Sequence, residues 1–267
     1  MGRRGRIHRQ VALPTEHGSW ALYLVPLVMG IAAGGRPTHV TAYLVVASAC
    51  GFLIRQPVTM LVKVRSGRKG KDFERPAWTW LVIYAVVGAV HVTGLVLRGF
   101  GFLLWLAVPG IAILVWHLSL IARRSERRQM GVEVVGAAFL ALSAPAALWV
   151  AERGVDWAGG AALYAGALGF NAWLIVETYL RLAQRAGETG PWGAPMVTAV
   201  GTLGIAVVCA ALGLMPTWVP LAFVIPPAAT IAARLRPAEG RRPKQIGMEM
   251  LAISVGFTLA FVVLWHV

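Results

Sequence analysis

Charge is what this sequence has least of. Only 13% of its 267 residues are charged, against about 25% in ordinary soluble domains. Acids are scarcer still, with 11 Asp and Glu against 25 Lys and Arg. There are two cysteines, Cys50 and Cys209. Both lie inside apolar runs at a spacing that suits neither a disulfide nor a metal site, so they read as small core residues. The chain has no HExxH and no C-x-x-C, and its "GRKGK" lacks the strand–loop–helix setting of a phosphate loop. It has no low-complexity linker. Its longest polar stretch, "RSGRKGKDFERP", is too short to fold as a domain and reads as a loop. The N-terminal "GRRGR" lacks the distal Ser or Thr of a myristoylation signal. The first apolar run continues through Pro26 to Ala33 without a cleavage site, which suits a retained helix and not a signal peptide.

What is present in quantity is apolar. The hydrophobic fraction is 58% and the mean hydropathy is +0.68, arranged in repeated runs of about 20 residues, the length that crosses a bilayer as a helix. The expected fold is an all-α integral membrane protein, a single polytopic domain over 1–267. It has nine spans near 17–34, 39–62, 77–97, 101–122, 132–151, 157–180, 194–214, 217–235 and 245–265. Four Lys and Arg precede the first span, and the even-numbered loops carry six, four, two and five. The other side has only Arg36, Arg98 and Arg153, and Arg55 falls within a span. This bias places the N-terminus and the even loops in the cytoplasm and the C-terminus outside. It also accounts for the net charge of +14 as loops facing an anionic leaflet, so no nucleic-acid partner is expected.

Ionisable groups inside spans suggest function. "PTEHGSWALYLVPLVMG" sets Glu16 and His17 at the mouth of the first span. "GFLIRQPVTMLVK" places Arg55, Gln56 and Pro57 together, which predicts an irregular helix end lining a cavity, with Arg55 free to snorkel as the alternative. Glu177, in "FNAWLIVETYLR", has Arg181 four residues on as a local partner. Asn171 lies two turns earlier, near the same face, either lining a cavity or joining helices. Glu133 and Glu249 follow basic loops and suit the positive end of a helix. His91 and His117 read as hydrogen-bonded packing residues. Arg55 needs an acidic partner at its depth, with Glu16 expected and Glu177 as the alternative.

The segments "PTEHGSWALYLVPLVMG", "ARRSERRQMGVE" and "RPKQIGMEM" resemble the YwiC-like family of bacterial membrane proteins and together cover most of the chain. A more distant likeness is to the UbiA-type prenyltransferase superfamily. That likeness implies nine spans, an active site at the cytoplasmic end and an opening segment similar to Gly18 through Pro26. Its two Asp-rich motifs would fall on "RQPVTMLVKVR", followed by Arg75-Pro76, and on "NAWLIVETYLRLAQR". The departure is large: Arg55, Gln56, Thr59 and Lys63 stand where Asn and Asp are expected, and the second segment offers Glu177 alone. One carboxylate is too few for a pair of Mg²⁺ ions against a diphosphate, so no metal cofactor is expected.

Three readings follow. The first is a UbiA-like protein of the bacterial plasma membrane that binds an isoprenoid or other anionic lipid in a cytoplasm-facing cavity, or does unconventional transferase chemistry there. Arg55, Lys63 and Arg75 would replace the metals at the head group, and Glu16, His17, Gln56, Asn171 and Glu177 would complete the site. The second is a small-solute or ion transporter. The third is a non-catalytic component that binds a partner through its basic loops. Oligomeric state is left open.

Overall fold

The structure, a computed structural model, describes residues 3–14, 17–35, 37–122, 130–187 and 193–267. Every regular element among them is a helix, the one open-ended structure whose backbone groups are all satisfied within a single segment in lipid. Seven helical stretches are long and apolar enough to cross a membrane, and two shorter apolar ones cover Gly18–Ala33 and Val219–Leu235. This is a multi-pass membrane protein. Each of the nine apolar segments read from the sequence coincides with a helical region. The chain divides into two compact units, Met1–Glu16 with Pro37–Gln129 and His17–Arg36 with Met130–Val267.

In the first unit, α1 (Arg3–Ala12) precedes α3 (His39–Arg65), α4 (Glu74–Leu97) and α5 (Leu104–Ala122); α2 belongs to the second unit. Thr38 starts α3 by a reciprocal cap, its Oγ1 accepting from Thr41 N while Thr41 Oγ1 accepts from Thr38 N at 3.0 Å. The helix then runs unbroken through Pro57 to Arg65. The irregular end expected at Arg55–Pro57 is therefore absent: a proline removes one ladder donor, and a long packed helix absorbs that loss. The polar loop is short, because a 3₁₀ turn at Lys71–Phe73 leads directly into α4. Gly67 turns the chain there with φ of +70°.

Helix α1 was not expected. Ile7 and Val11 on its inner side pack with Leu61, Ala77, Phe73 and Trp80. Its final carbonyls, which a helix cannot satisfy internally, accept from side chains of the spans: Gln56 Nε2 donates to Gln10 O and Tyr84 Oη to Ala12 O, both at 2.9 Å.

The second unit contains α2 (His17–Ala33), α6 (Met130–Ala141), α7 (Ser143–Glu152), α8 (Trp157–Arg185), α9 (Gly193–Ala211), α10 (Ile225–Leu235) and α11 (Pro243–Trp265). Helix α2 packs on α6, α7, α8 and α11. Gly30 approaches α7 so closely that a Cβ there would collide with the carbonyl of Ala144, and one on Gly34 would meet the Ala151 side chain. Small residues bring the backbones together in this way where lipid supplies no hydrophobic drive between helices. The fifth span is two helices. Pro145 has no N–H to give Ala141 O, the chain turns at Leu142, and Ser143 Oγ donates to Leu140 O at 2.7 Å. The apolar stretch read as the eighth span is a 3₁₀ segment, Val219–Val224, followed by α10, with prolines in the opening turn of each. Asp156 caps α8, its two carboxylate oxygens accepting from Ala158 N and Gly159 N. The core carries aromatic rings: Phe170 stacks on Phe257 with centroids 4.0 Å apart, and Phe223 meets Phe257 edge-on at 5.1 Å.

Candidate functional site

Helix α8 places Glu177, Arg181 and Gln184 on one stripe, since spacings of four and three return to the same face. Glu177 is fully buried and Arg181 is 2% exposed. Arg181 Nε donates to Glu177 Oε1 at 3.2 Å, and its Nη1 donates to Glu249 Oε2 at 2.9 Å. Arg241 Nη1 donates to the same Glu249 oxygen at 2.9 Å. In the other direction, Thr230 Oγ1 on α10 donates to Glu177 Oε2 at 3.1 Å and accepts from Trp173 Nε1 at 2.9 Å. A single polar chain thus runs from the aromatic core through three helices to Arg241 at the surface. Two carboxylates and two guanidinium groups alternate along it, so no buried charge is left unpaired.

This arrangement changes the roles expected from the sequence. Arg181, counted as a loop cation, lies within α8, which extends to Arg185. A guanidinium fills the space between Glu177 and Glu249, and both oxygens of Glu177 are engaged. Glu249 lies beyond the first turn of α11, and its charge is met by two arginines more directly than by the helix end. Asn171 and Glu177 meet different elements. Six residues turn a helix by about 600°, some 240° net, so the two point apart. Asn171 Nδ2 donates to Leu22 O at 3.1 Å and to Ala137 O at 3.4 Å, as a tie between helices does.

In the first unit, Gln56 is committed to the end of α1. Arg55 sits half-buried on α3 with its guanidinium carbon 5.8 Å from the Phe52 ring centroid, within cation–π range. Lys63 is half-buried near the end of α3, where its carbonyl accepts from Arg68 N and Lys69 N. Arg75 is exposed in the first turn of α4. His17 begins α2. Glu16, the expected partner of Arg55, lies outside the described residues, as do Arg123, Arg124, Arg127 and Arg128. Glu133 does stand in the first turn of α6, and accepts from Tyr179 Oη at 2.9 Å. His91 Nδ1 lies 2.8 Å from Val87 O, and both cysteines are buried and free.

The sequence held two usable signs of the network: the spacing of four between Glu177 and Arg181, which the structure bears out as an ion pair, and Glu249 at a helix end rich in arginine. Thr230 and Trp173 carried none, because neither is unusual in its own segment.

The sequence profile of the YwiC-like protein family matches residues 13–148. The chain is 24% identical over 191 residues to a protein of Bacillus subtilis (strain 168) named "Uncharacterized protein YwiC", an alignment covering 68% of this chain and 72% of the relative. No solved structure matches. The chain belongs to the YwiC-like family.

Proposed function

We propose, taking that family membership and the geometry above as premises, that this protein binds an anionic amphiphile, an isoprenoid or another anionic lipid, without a metal ion. The observation that carries this reading is the guanidinium of Arg181 between Glu177 and Glu249. A resident cation already balances the acids that could otherwise hold a divalent metal, and the basic groups elsewhere in the protein favour an anionic head group met directly by arginine. In the first unit Arg55, Lys63 and Arg75 supply such groups. In the second, Arg185 and Arg241 do. The bundle has nine spans in a UbiA-like arrangement in the bacterial plasma membrane, with its N-terminus and basic loops in the cytoplasm and its C-terminus outside. Binding is the primary activity, and any transfer chemistry is unconventional.

Two experiments test this. Mass spectrometry of lipids that copurify with the detergent-solubilised protein should find an anionic or isoprenoid species enriched over the bulk membrane. Unenriched bulk lipid, together with solute flux in proteoliposomes, would favour the transporter reading. Reporter fusions after residues 68 and 238 should read cytoplasm, and one after Val267 outside. A cytoplasmic reading at Val267 would remove the nine-span topology.

A further inference from the structure

We infer that the outer end of the polar chain in the second unit is a phosphate-binding subsite, formed by the guanidinium groups of Arg185 and Arg241 and the side-chain amide of Gln184. The inference rests on the lipid-binding reading and places its head group. Gln184 follows Arg181 by three residues and Glu177 by seven, so it shares the stripe of α8 that meets α10 and α11. It is 7% exposed, yet neither Oε1 nor Nε2 has a hydrogen-bond partner among the described residues. A buried amide with both ends unmade costs free energy that a leucine at this position would not. Both polar atoms are closed off from solvent and left without a partner among the described residues.

The neighbouring residues indicate the charge of that occupant. Arg185 Nε donates to the backbone carbonyl of Arg241 at 3.0 Å, which ties the end of α8 to the stretch that leads into α11. Arg241 commits only Nη1, to Glu249. The remaining Nη groups of Arg185 and Arg241 have no partner among the described residues. Arg185 is exposed, and Arg241 is 35% exposed. Across Arg181, Arg185 and Arg241 against Glu177 and Glu249, one positive charge is left over. Helix α11, 23 residues long, begins at Pro243, so its positive end lies two residues from Arg241. Two guanidinium edges fit the oxygens of a tetrahedral phosphate. Gln184 Nε2 donates to a third oxygen, and Oε1 accepts from a protonated phosphate oxygen or an adjoining hydroxyl. The phosphate can belong to a lipid head group or be free in the cytoplasm.

The test uses the full chain in nanodiscs of phosphatidylcholine alone and of phosphatidylcholine with phosphatidylglycerol, plus inorganic phosphate added to the first. Retention of phosphatidylglycerol, phosphate affinity and the unfolding midpoint are measured for wild type, Gln184→Leu, Arg185→Gln and the control Arg98→Gln. Gln184→Leu should keep or raise the midpoint while weakening binding about tenfold, the worth of one charge-assisted hydrogen bond. Arg185→Gln should weaken it at least as much, and Arg98→Gln should leave it unchanged. A preference for phosphatidylglycerol identifies a lipid source, and binding of inorganic phosphate alone identifies a soluble one. Selective binding that is unchanged in both variants would overturn the subsite and leave the lipid-binding reading standing. A drop in the midpoint with Gln184→Leu at unchanged affinity would assign Gln184 a structural role and also overturn it. No preference for either phosphate source would overturn both.

Discussion

The two units treat polar groups in apolar surroundings in opposite ways. The first spends them singly on the backbone: Gln56 and Tyr84 each satisfy one carbonyl of α1, and Arg98 Nη1 donates to Gly94 O while its guanidinium lies 4.3 Å from the Tyr43 ring centroid. None of these contacts is a buried ion pair, so each can be lost at modest cost. The second links them side chain to side chain, from Trp173 to Arg241, with the central members buried. A member removed there leaves its neighbours charged and unmet. An isolated polar contact near the surface is worth about 0.5–1.5 kcal/mol. Breaking a buried ion pair on one side costs about 3–5 kcal/mol.

That difference is open to direct attack. The largest effect is expected from Arg181→Ala, which strands Glu177 and Glu249 and should lower stability in detergent by about 3–5 kcal/mol. The paired change Glu177→Leu with Arg181→Met, which leaves Glu249 with Arg241, should recover most of that loss. A double variant no more stable than the single one would mean that the pair acts through packing and not through charge. Next comes Gly30→Ala, where the new methyl meets backbone on α7 and not a movable side chain; overpacking of this kind costs about 1–3 kcal/mol. Thermal unfolding followed by circular dichroism measures both. Tyr84→Phe should cost about 1 kcal/mol and expose Arg9 of α1 to trypsin sooner than in the wild type. Equal cleavage rates would mean that apolar packing alone holds α1. The smallest effect belongs to Arg98→Ala, about 0.5–1 kcal/mol for an exposed cation–π contact. A loss above 2 kcal/mol there would erase the contrast between the units.

The helices were legible because length and hydropathy are one-dimensional properties. What failed did so for physical reasons. Helix α1 is ten residues with four arginines, and its stability comes from partners far along the chain, which no local pattern records. Arg181 read both as a loop cation, because it sits just past an apolar run, and as the local partner of Glu177, and the structure keeps only the second role. Its burial depends on Glu249, 68 residues away. Asn171 and Glu177 stand six residues apart, a spacing that sets them on different faces of α8, so nearness in sequence does not bring them to one site. Pro57 and Pro145 read alike in sequence, yet only the second coincides with a break, because packing decides whether a lost donor is tolerated.

The order of the chain has a consequence for how the protein is made. After α1, synthesis delivers α2, whose partners α6, α7, α8 and α11 all lie beyond residue 129. The next three long helices to emerge belong to the other unit. Helix α2 is also short, at 17 residues. It must therefore wait at the translocon or in open lipid while residues 34–129 are threaded past it, and its contact with α11 forms only once residues 243–265 are released. The order of synthesis is not the order of packing, and α2 is completed long after it is made.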